Sequence, residues 1–441
     1  MDEFSRRTFV QLGAAAAAAT AVAQTPRTDA NNTLRAAVLG VNGRGKRHVQ
    51  ALENMPGVDV AVLCDPDAEL LGKQSLEFER AYGRKVETEQ DLRRVNDRDD
   101  IDLVCIATPN HWHALATIWA CQAGKDVYLE KPGTHNLYEG RQMIAAAKKY
   151  NRIVQHGVQL RSNPELQRAV ALLGEGVIGD VYMARGVVFR RRPSIGKKPN
   201  EPAPSTLDWD LWQGPAEERE FSRRLVHYNW HWHWDYGNGD VGNQGTHETD
   251  MCHWGLSATV DADDNYGIGL PNQVQAMGGK FLWDDDKETP DVNSSAYTFA
   301  DANKLMEFEV RPWHTNAEAG VSVGNLFYGS EGYMVVNGYN SFATFLGDQG
   351  TPGPSGTSDD PVDRHFANFV DAVRAGNPEL LNGPIETAHT SSALAHLGNI
   401  AYRVGRRLEF DPQTETFAGD TEANAMLTRN YRSPFIVPEV V

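Results

Sequence analysis

Three short stretches hold residues whose type and spacing can do chemistry. In Gly40-x-Asn42-x-x-Gly45, with Gly43 as an extra glycine, the chain has the small residues that let a tight turn approach a pyrophosphate. The helix after such a turn adds amide donors and the positive end of its dipole. Asn42 stands where that fingerprint has its second glycine, and asparagine tolerates left-handed dihedrals. The second stretch, Glu130-Lys131-Pro132, closes the apolar run Val127-Tyr128-Leu129. A surface turn would explain the triplet alone, but its place at a strand end points to a catalytic edge. The third stretch is Asn243-x-x-x-His247-x-x-Asp250. Histidine titrates near neutral pH, so it can accept or donate a proton. A core histidine capping its helix is the plainer alternative.

The elements that must position these residues alternate. Residues 36–39 form a buried-strand run before the glycine turn, and a helical pattern follows it. A second apolar run ends at Asp65, where an acid can bind both ribose hydroxyls of NAD and repel a 2′-phosphate. Arg44, Lys46 and Arg47 in the turn leave NADP open. A third run leads into Thr108-Pro109-Asn110-His111 and another helical pattern, and a fourth ends in the Glu-Lys-Pro triplet. This β-α-β-α-β alternation predicts an α/β fold with a doubly wound parallel sheet, which binds ligands at the carboxyl ends of its strands.

The chain has 441 residues, so two domains are expected: a dinucleotide domain over 34–155 and a second over 156–410, followed by a tail at 411–441. Its net charge of −17 excludes a nucleic-acid partner, which needs a basic surface. Before the polar linker at 24–33, residues 1–23 carry Arg6 and Arg7, then an alanine-rich apolar run and a small-x-small site at Ala21-Val22-Ala23. This resembles a twin-arginine signal peptide and predicts a periplasmic or otherwise exported protein. The apolar run is too short and too mild for a membrane anchor, and no other segment reads as transmembrane. That route exports folded proteins, which predicts a cofactor loaded early and held tightly. Cys64, Cys105, Cys121 and Cys252 have no metal-type spacing and read as buried thiols.

From residue 34 onward the chain resembles the Gfo/Idh/MocA oxidoreductases, which include glucose–fructose oxidoreductase and inositol dehydrogenase. Gly40–Gly45, Asp65, Thr108-Pro109-Asn110-His111 and Glu130-Lys131-Pro132 carry the resemblance, the last most specifically. It implies that Lys131 is the catalytic lysine, set near the nicotinamide by Pro132 through a peptide that in the family is often cis. It implies cofactor contacts from Gly40, Asn42, Gly43, Arg44, Gly45, Asp65, Thr108, Asn110, His111, Glu130 and Lys131. In the family, Asp-x-x-x-His-x-x-Asp supplies the proton-handling histidine. Here His247 takes that role and Asn243 replaces the first acid, so Asn243 can only orient substrate. Asp250 completes the motif on the substrate side.

Gln159 and Arg161 fall at a strand end, within reach of nicotinamide or substrate. Residues 190–206 form a basic, Pro-rich loop. In 227–234, alternation places His231 and His233 on one face and Trp230, Trp232 and Trp234 on the other. No carboxylate or cysteine completes a metal shell there, so no metal is expected. Trp230 and His231 read as a wall for a sugar ring. Downstream strands suit the family's α+β domain with its open, mostly antiparallel sheet, one face of which usually packs on another subunit, predicting a homodimer or homotetramer. The tail has turn composition suited to wrapping a neighbour. The expected function is hydride transfer between NAD(P) and a sugar, polyol or glycoside carbon. The alternatives are glycoside hydrolysis or elimination through a transient keto sugar, and a non-catalytic cofactor-bound sugar sensor.

Overall fold

Strand β1 (Leu34–Leu39) is buried at five of its six positions, as a central strand covered by helices on both faces must be. The computed structural model describes residues 33–260, 267–313 and 316–441, so the export-signal reading lies outside the described residues. After β1 come α1 (Arg44–Glu53), β2 (Val58–Cys64), α2 (Ala68–Tyr82), β3 (Glu87–Glu89), α3 (Leu92–Asn96), β4 (Leu103–Ile106), α4 (Asn110–Gln122), β5 (Asp126–Leu129), α5 (Leu137–Lys149) and β6 (Val154–His156). The six strands pair in the order β3-β2-β1-β4-β5-β6, all parallel. The order reverses between β1 and β4, the crevice where such sheets bind ligands. Gly40 follows β1, Thr108 lies just past β4 and Glu130 follows β5, so all three lie at one rim.

The second unit starts with α6 (Pro164–Gly174) and β7 (Val181–Phe189). The loop from 190 onward has no regular element until α7 (Trp209–Gln213). Then come α8 (Gly239–Asn243), α9 (Gly245–Ser257), β8 (Gln273–Gly279), β9 (Val292–Phe299), β10 (Lys304–Arg311), β11 (Val323–Gly329), β12 (Gly332–Asn337), β13 (Ser341–Leu346) and β14 (Thr351–Thr357). Helices α10 (Val362–Ala375) and α11 (Ile385–Val404), strands β15 (Leu408–Asp411) and β16 (Thr416–Phe417), and α12 (Thr421–Ala425) finish the chain. Ten strands pair as β14-β13-β12-β11-β7-β10-β9-β8-β15-β16; β7 and β10 run parallel and the other pairs are antiparallel.

Strand β10 alternates buried and half-buried residues, the mark of a sheet with one packed face. That face meets α9 and α11 in a core that includes Tyr297, Phe308, Phe327, Met251, Leu256 and Leu394. Truncating a fully buried side chain such as Phe308 to alanine costs about 3–5 kcal/mol. Helix α11 also packs against α5, which locks the two units together.

One expectation is corrected here. Residues Asn229–Trp232 form a 3₁₀ turn rather than an alternating strand: Trp230 and Trp232 are buried and His231 stacks on Trp230 with ring centroids 3.6 Å apart. Residues of the tail also pack on their own chain. Phe435, Val437 and Val441 join the core of the first unit beside Trp112, and Tyr138 Oη donates to the Pro438 carbonyl at 3.1 Å. The four cysteines are free and buried. Among the described residues, no helix is long and apolar enough to cross a membrane.

Candidate active site

A cavity of about 410 Å³ runs between the two units. Gly40, Asn42, Gly43, Arg44, Asp65, Thr108, Asn110, Glu130, Lys131 and Gln159 line its first-unit side; Trp230, His231, Asn243, His247 and Tyr339 line the other. At the glycine turn, Gly40 has φ +80, and a Cβ there would lie 2.6 Å from the Ala107 carbonyl oxygen. Gly45 does not line the cavity; its own Cβ would lie 1.8 Å from the Gly40 carbonyl oxygen, so it serves the fold of the turn. Gly43, with φ +44, opens onto free space at the N-terminus of α1.

Asp65 accepts the Val41 and Asp67 amides at 3.2 and 3.1 Å. Burial nevertheless pushes its carboxyl up to about 7. The basic residues of the turn are already paired: Arg44 with Glu130 at 2.6 Å, Lys46 with Glu77 at 2.7 Å and Arg47 with Asp363 at 2.8 Å. A 2′-phosphate would have to break one of those pairs, so the turn suits NAD. Two buried acceptors facing the cavity, Thr108 Oγ1 and Asn110 Oδ1, have no partner among the described residues. Orphaned polar atoms beside an open glycine turn are what a dinucleotide would satisfy. These residues fit the group.

Glu130 is the centre of the charge network. Its Oε1 receives Arg44 Nε at 2.6 Å, lies 3.0 Å from His48 Nε2 and accepts Gln159 Nε2 at 3.3 Å. Burial alone would raise its pKa, but Arg44 and then His48 hold it well below the usual carboxylate range. His48, one turn along α1 from Arg44, has no motif signal in the sequence; helical spacing alone would have placed it under the turn.

Lys131 leaves the same rim, across a cis peptide to Pro132. Its Nζ donates to the Asn243 carbonyl and lies 3.4 Å from Asn243 Oδ1. Burial pulls its pKa down to about 8, against the upward pull of Glu130. His113, also unannounced by any motif, packs beneath: its Nδ1 lies 2.6 Å from the Pro132 carbonyl and its Nε2 2.9 Å from that of Thr108. His247 lies across the cavity, its ring centroid 5.2 Å from that of Tyr339. Its Nδ1 is buried with no partner among the described residues. Burial and then the charge of Lys131 hold the ring well below its ordinary pKa, so it is neutral and able to accept a proton. Asn243 ends α8 rather than sharing the helix of His247.

Besides Gly45, three assigned residues lie elsewhere. Asp250 and Arg161 do not line the cavity. Asp250 is fully buried, takes the Arg161 fork at 2.9 Å through Nε and 2.9 Å through Nη2, and accepts Ser391 Oγ at 2.6 Å. Both polar ends are spent on each other, so neither is left for substrate. His111 points away from the cavity: its Nε2 lies 3.0 Å from the Trp212 carbonyl and its ring packs on Tyr236. His113, two residues on, is the histidine of α4 that lines the cavity.

A strap closes the cofactor end. The Ala68 amide donates to the Thr206 carbonyl at 2.9 Å and the Asp208 amide to that of Pro66 at 3.0 Å. Trp112 Nε1 donates to the Leu211 carbonyl at 3.0 Å, and His227 Nε2 lies 3.1 Å from Asp67 Oδ2. Leu207, Trp212, Phe221, Leu225, Trp230 and Tyr236 give the strap a core of its own. Among the described residues, no cluster of His, Cys, Asp or Glu side chains is placed to hold a metal.

A doubly wound dinucleotide unit joined to a mixed sheet, with a lysine and a histidine facing each other across the crevice, defines an α/β oxidoreductase. Residues 34–158 match the model of the oxidoreductase family with an NAD-binding Rossmann fold, and 192–280 and 356–437 match that family's C-terminal alpha/beta domain. The chain belongs to the Gfo/Idh/MocA oxidoreductase family. It is 32% identical over 123 residues, 27% of this chain and 27% of the relative, to a glycosyl hydrolase family 109 protein of Shewanella pealeana. It is 27% identical over 249 residues to the levoglucosan dehydrogenase of Pseudarthrobacter phenanthrenivorans, covering 56% of this chain and 57% of that one. The chain thus spans about a quarter and somewhat over half of the lengths of these two relatives. A solved levoglucosan dehydrogenase, in complex with NADH and levoglucosan, shares the fold with a TM-score of 0.64 and 19% identity, over 86% of this chain and 99% of that one.

Proposed function

We propose that the protein transfers hydride between NAD and a hydroxyl-bearing carbon of a neutral sugar, polyol or glycoside. One observation carries this reading: the Lys131 amine and the neutral His247 ring face one cavity whose other end is the glycine turn and Asp65. When bound there, the nicotinamide supplies a two-electron hydride acceptor or donor. Lys131 as ammonium donates to the substrate hydroxyl oxygen and lowers its pKa. His247 takes the hydroxyl proton, and the Asn243 amide orients the substrate. The stacked Trp230 and His231 rings offer a flat face to a sugar ring. Apart from Arg44, which Glu130 neutralises, Lys131 is the one lysine or arginine lining the cavity among the described residues, and this favours an uncharged substrate.

A second reading has its own support. The similarity to glycosyl hydrolase family 109 proteins and the strap over the cofactor end favour a closed cycle without net redox. In it, oxidation of one sugar hydroxyl acidifies the neighbouring C–H, the glycosidic group is eliminated, water adds and the ketone is reduced again. Product analysis with neutral glycosides separates the two: a keto sugar with reduced nucleotide, or a free sugar with the nucleotide unchanged. Neither product above a Lys131→Ala control would refute both. Export by the twin-arginine route and homodimeric or homotetrameric assembly complete the proposal. The first rests on Arg6, Arg7 and the alanine-rich run that follows; the second rests on the half-buried second face of the larger sheet.

A further inference from the structure

A second cavity, of about 210 Å³, is lined in part by His135 and Asn136, which follow Lys131 in the chain. Its walls include His135, Trp234, Asn238, Asn399, Arg403 and Arg429. We propose that it binds a carboxylated sugar, with Arg403 and Arg429 holding the carboxylate and Asn238 and Asn399 the hydroxyls.

The two arginines are unusual in an acidic protein whose other site arginines have carboxylate partners. Arg403 lies over the Trp234 ring, 5.1 Å from its centroid, and has no hydrogen bond or ion pair among the described residues. Arg429 Nη1 donates to the Asp235 carbonyl at 2.7 Å and to His135 Nδ1 at 3.2 Å, while its Nε is buried without a partner. The acids near Arg403 and Arg429, two of which (Glu217 and Asp235) also line the cavity, are engaged: Glu288, which with Asp235 faces Arg403, pairs with Arg219 at 3.2 Å and His233 at 3.1 Å. Asp235 pairs with Arg219 at 3.0 Å, exposed Glu217 accepts the Asn430 amide at 3.3 Å, and Glu139 accepts the His135 amide at 2.7 Å and Tyr431 Oη at 3.1 Å. A guanidinium fork matches a planar carboxylate.

The hydroxyl partners are equally specific. Asn238 and Asn399 are 6% and 4% exposed, and Asn399 Nδ2 donates to the Asn238 carbonyl at 3.0 Å. That leaves Asn238 Nδ2, a donor, and Asn399 Oδ1, an acceptor, buried with no partner. A sugar hydroxyl both donates and accepts, so it satisfies such a pair where a simple anion does not. The half-exposed Trp234 ring suits the C–H face of a pyranose. Two segments run from this cavity to the reaction cavity, one from His135 to Lys131 and one from Asn238 to Asn243. The inference stands independently of the reaction assigned above.

Calorimetric titration of the full, NAD-loaded protein tests it, with glucuronate as probe and glucose and inorganic phosphate as comparators. Glucuronate is expected to bind one site per chain, at least about tenfold more tightly than glucose or phosphate. Arg403→Gln, on an exposed side chain, is expected to weaken it by at least about tenfold, as is Arg429→Gln. Nucleotide content and melting temperature of Arg403→Gln should stay at wild-type values, which shows that the fold is intact. Absence of glucuronate binding, binding unchanged in Arg403→Gln, or phosphate binding as tight as glucuronate would overturn the proposal.

Discussion

Lys131 Nζ, one residue beyond Glu130 at the rim of the first sheet, donates to the backbone carbonyl of Asn243 in the second unit. The bond crosses the crevice and fixes the amine four residues upstream of His247. Lys131 comes from the first unit and His247 from the second, so the proposed reaction needs both.

Replacing Lys131 by alanine removes that donor. Turnover is expected to fall by about 10²–10⁴-fold while nucleotide content stays intact. Because burial holds the wild-type amine at about 8, the ammonium is present below that pH and lost above it. The kcat/KM profile of the wild type should therefore decline on the alkaline side near pH 8, and a flat profile to higher pH would remove the lysine from this role.

His247→Gln keeps the size of the ring and loses the base. A drop in kcat of about 10²–10⁴-fold with little change in KM is the expected pattern in steady-state kinetics. An equal rise in KM alone would mean that His247 only binds.

NAD binding is expected to depend on pH through Asp65. Its carboxyl, raised by burial to about 7, must be ionised to accept two ribose hydroxyls. Affinity should weaken as pH falls through about 7, read by equilibrium dialysis of nucleotide-stripped protein. Asp65→Asn should bind NAD at least about tenfold more weakly and show a flat profile. The same shift works the other way on stability. The buried carboxyl favours the folded state while protonated, and that contribution is lost as pH rises through about 7.

Asp250→Ala strips a partner from a buried ion pair. A loss of about 3–5 kcal/mol in unfolding free energy is expected, from denaturant titration, with KM for any accepted sugar nearly unchanged at low temperature. Unchanged stability with a large rise in KM would return Asp250 to the substrate.

His227→Ala loosens the strap. The pair with Asp67 is partly exposed, so its contribution is modest, and nucleotide release should quicken by up to about fivefold in stopped-flow exchange.

The first sheet is legible in the chain because its strands are continuous apolar runs, each ended by a residue that cannot extend them: Gly40, Asp65, Pro109, Pro132. The same runs mark the rim, so Lys131, Asp65 and the glycine turn can be placed before any coordinates exist. Asp250 and Arg161 are less legible. Motif spacing puts Asp250 one turn from His247, but its carboxylate is taken up by Arg161 and Ser391, which are remote in sequence. His48 and His113 escape notice because their partners, Glu130 and Pro132, are remote in sequence. The strap escapes for a related reason. Its segment has no periodicity, and its place comes from bonds to residues remote in sequence: Pro66, Asp67, Ala68 and Trp112.

The most direct test of the central claim is mass spectrometry of the nucleotide released by denaturing purified protein, before and after mixing with neutral sugars and glycosides. The expected result is NAD at close to one per chain, partly converted to NADH on mixing in the wild type and unchanged in Lys131→Ala. Release of no nicotinamide nucleotide, together with no uptake of added NAD, would contradict it.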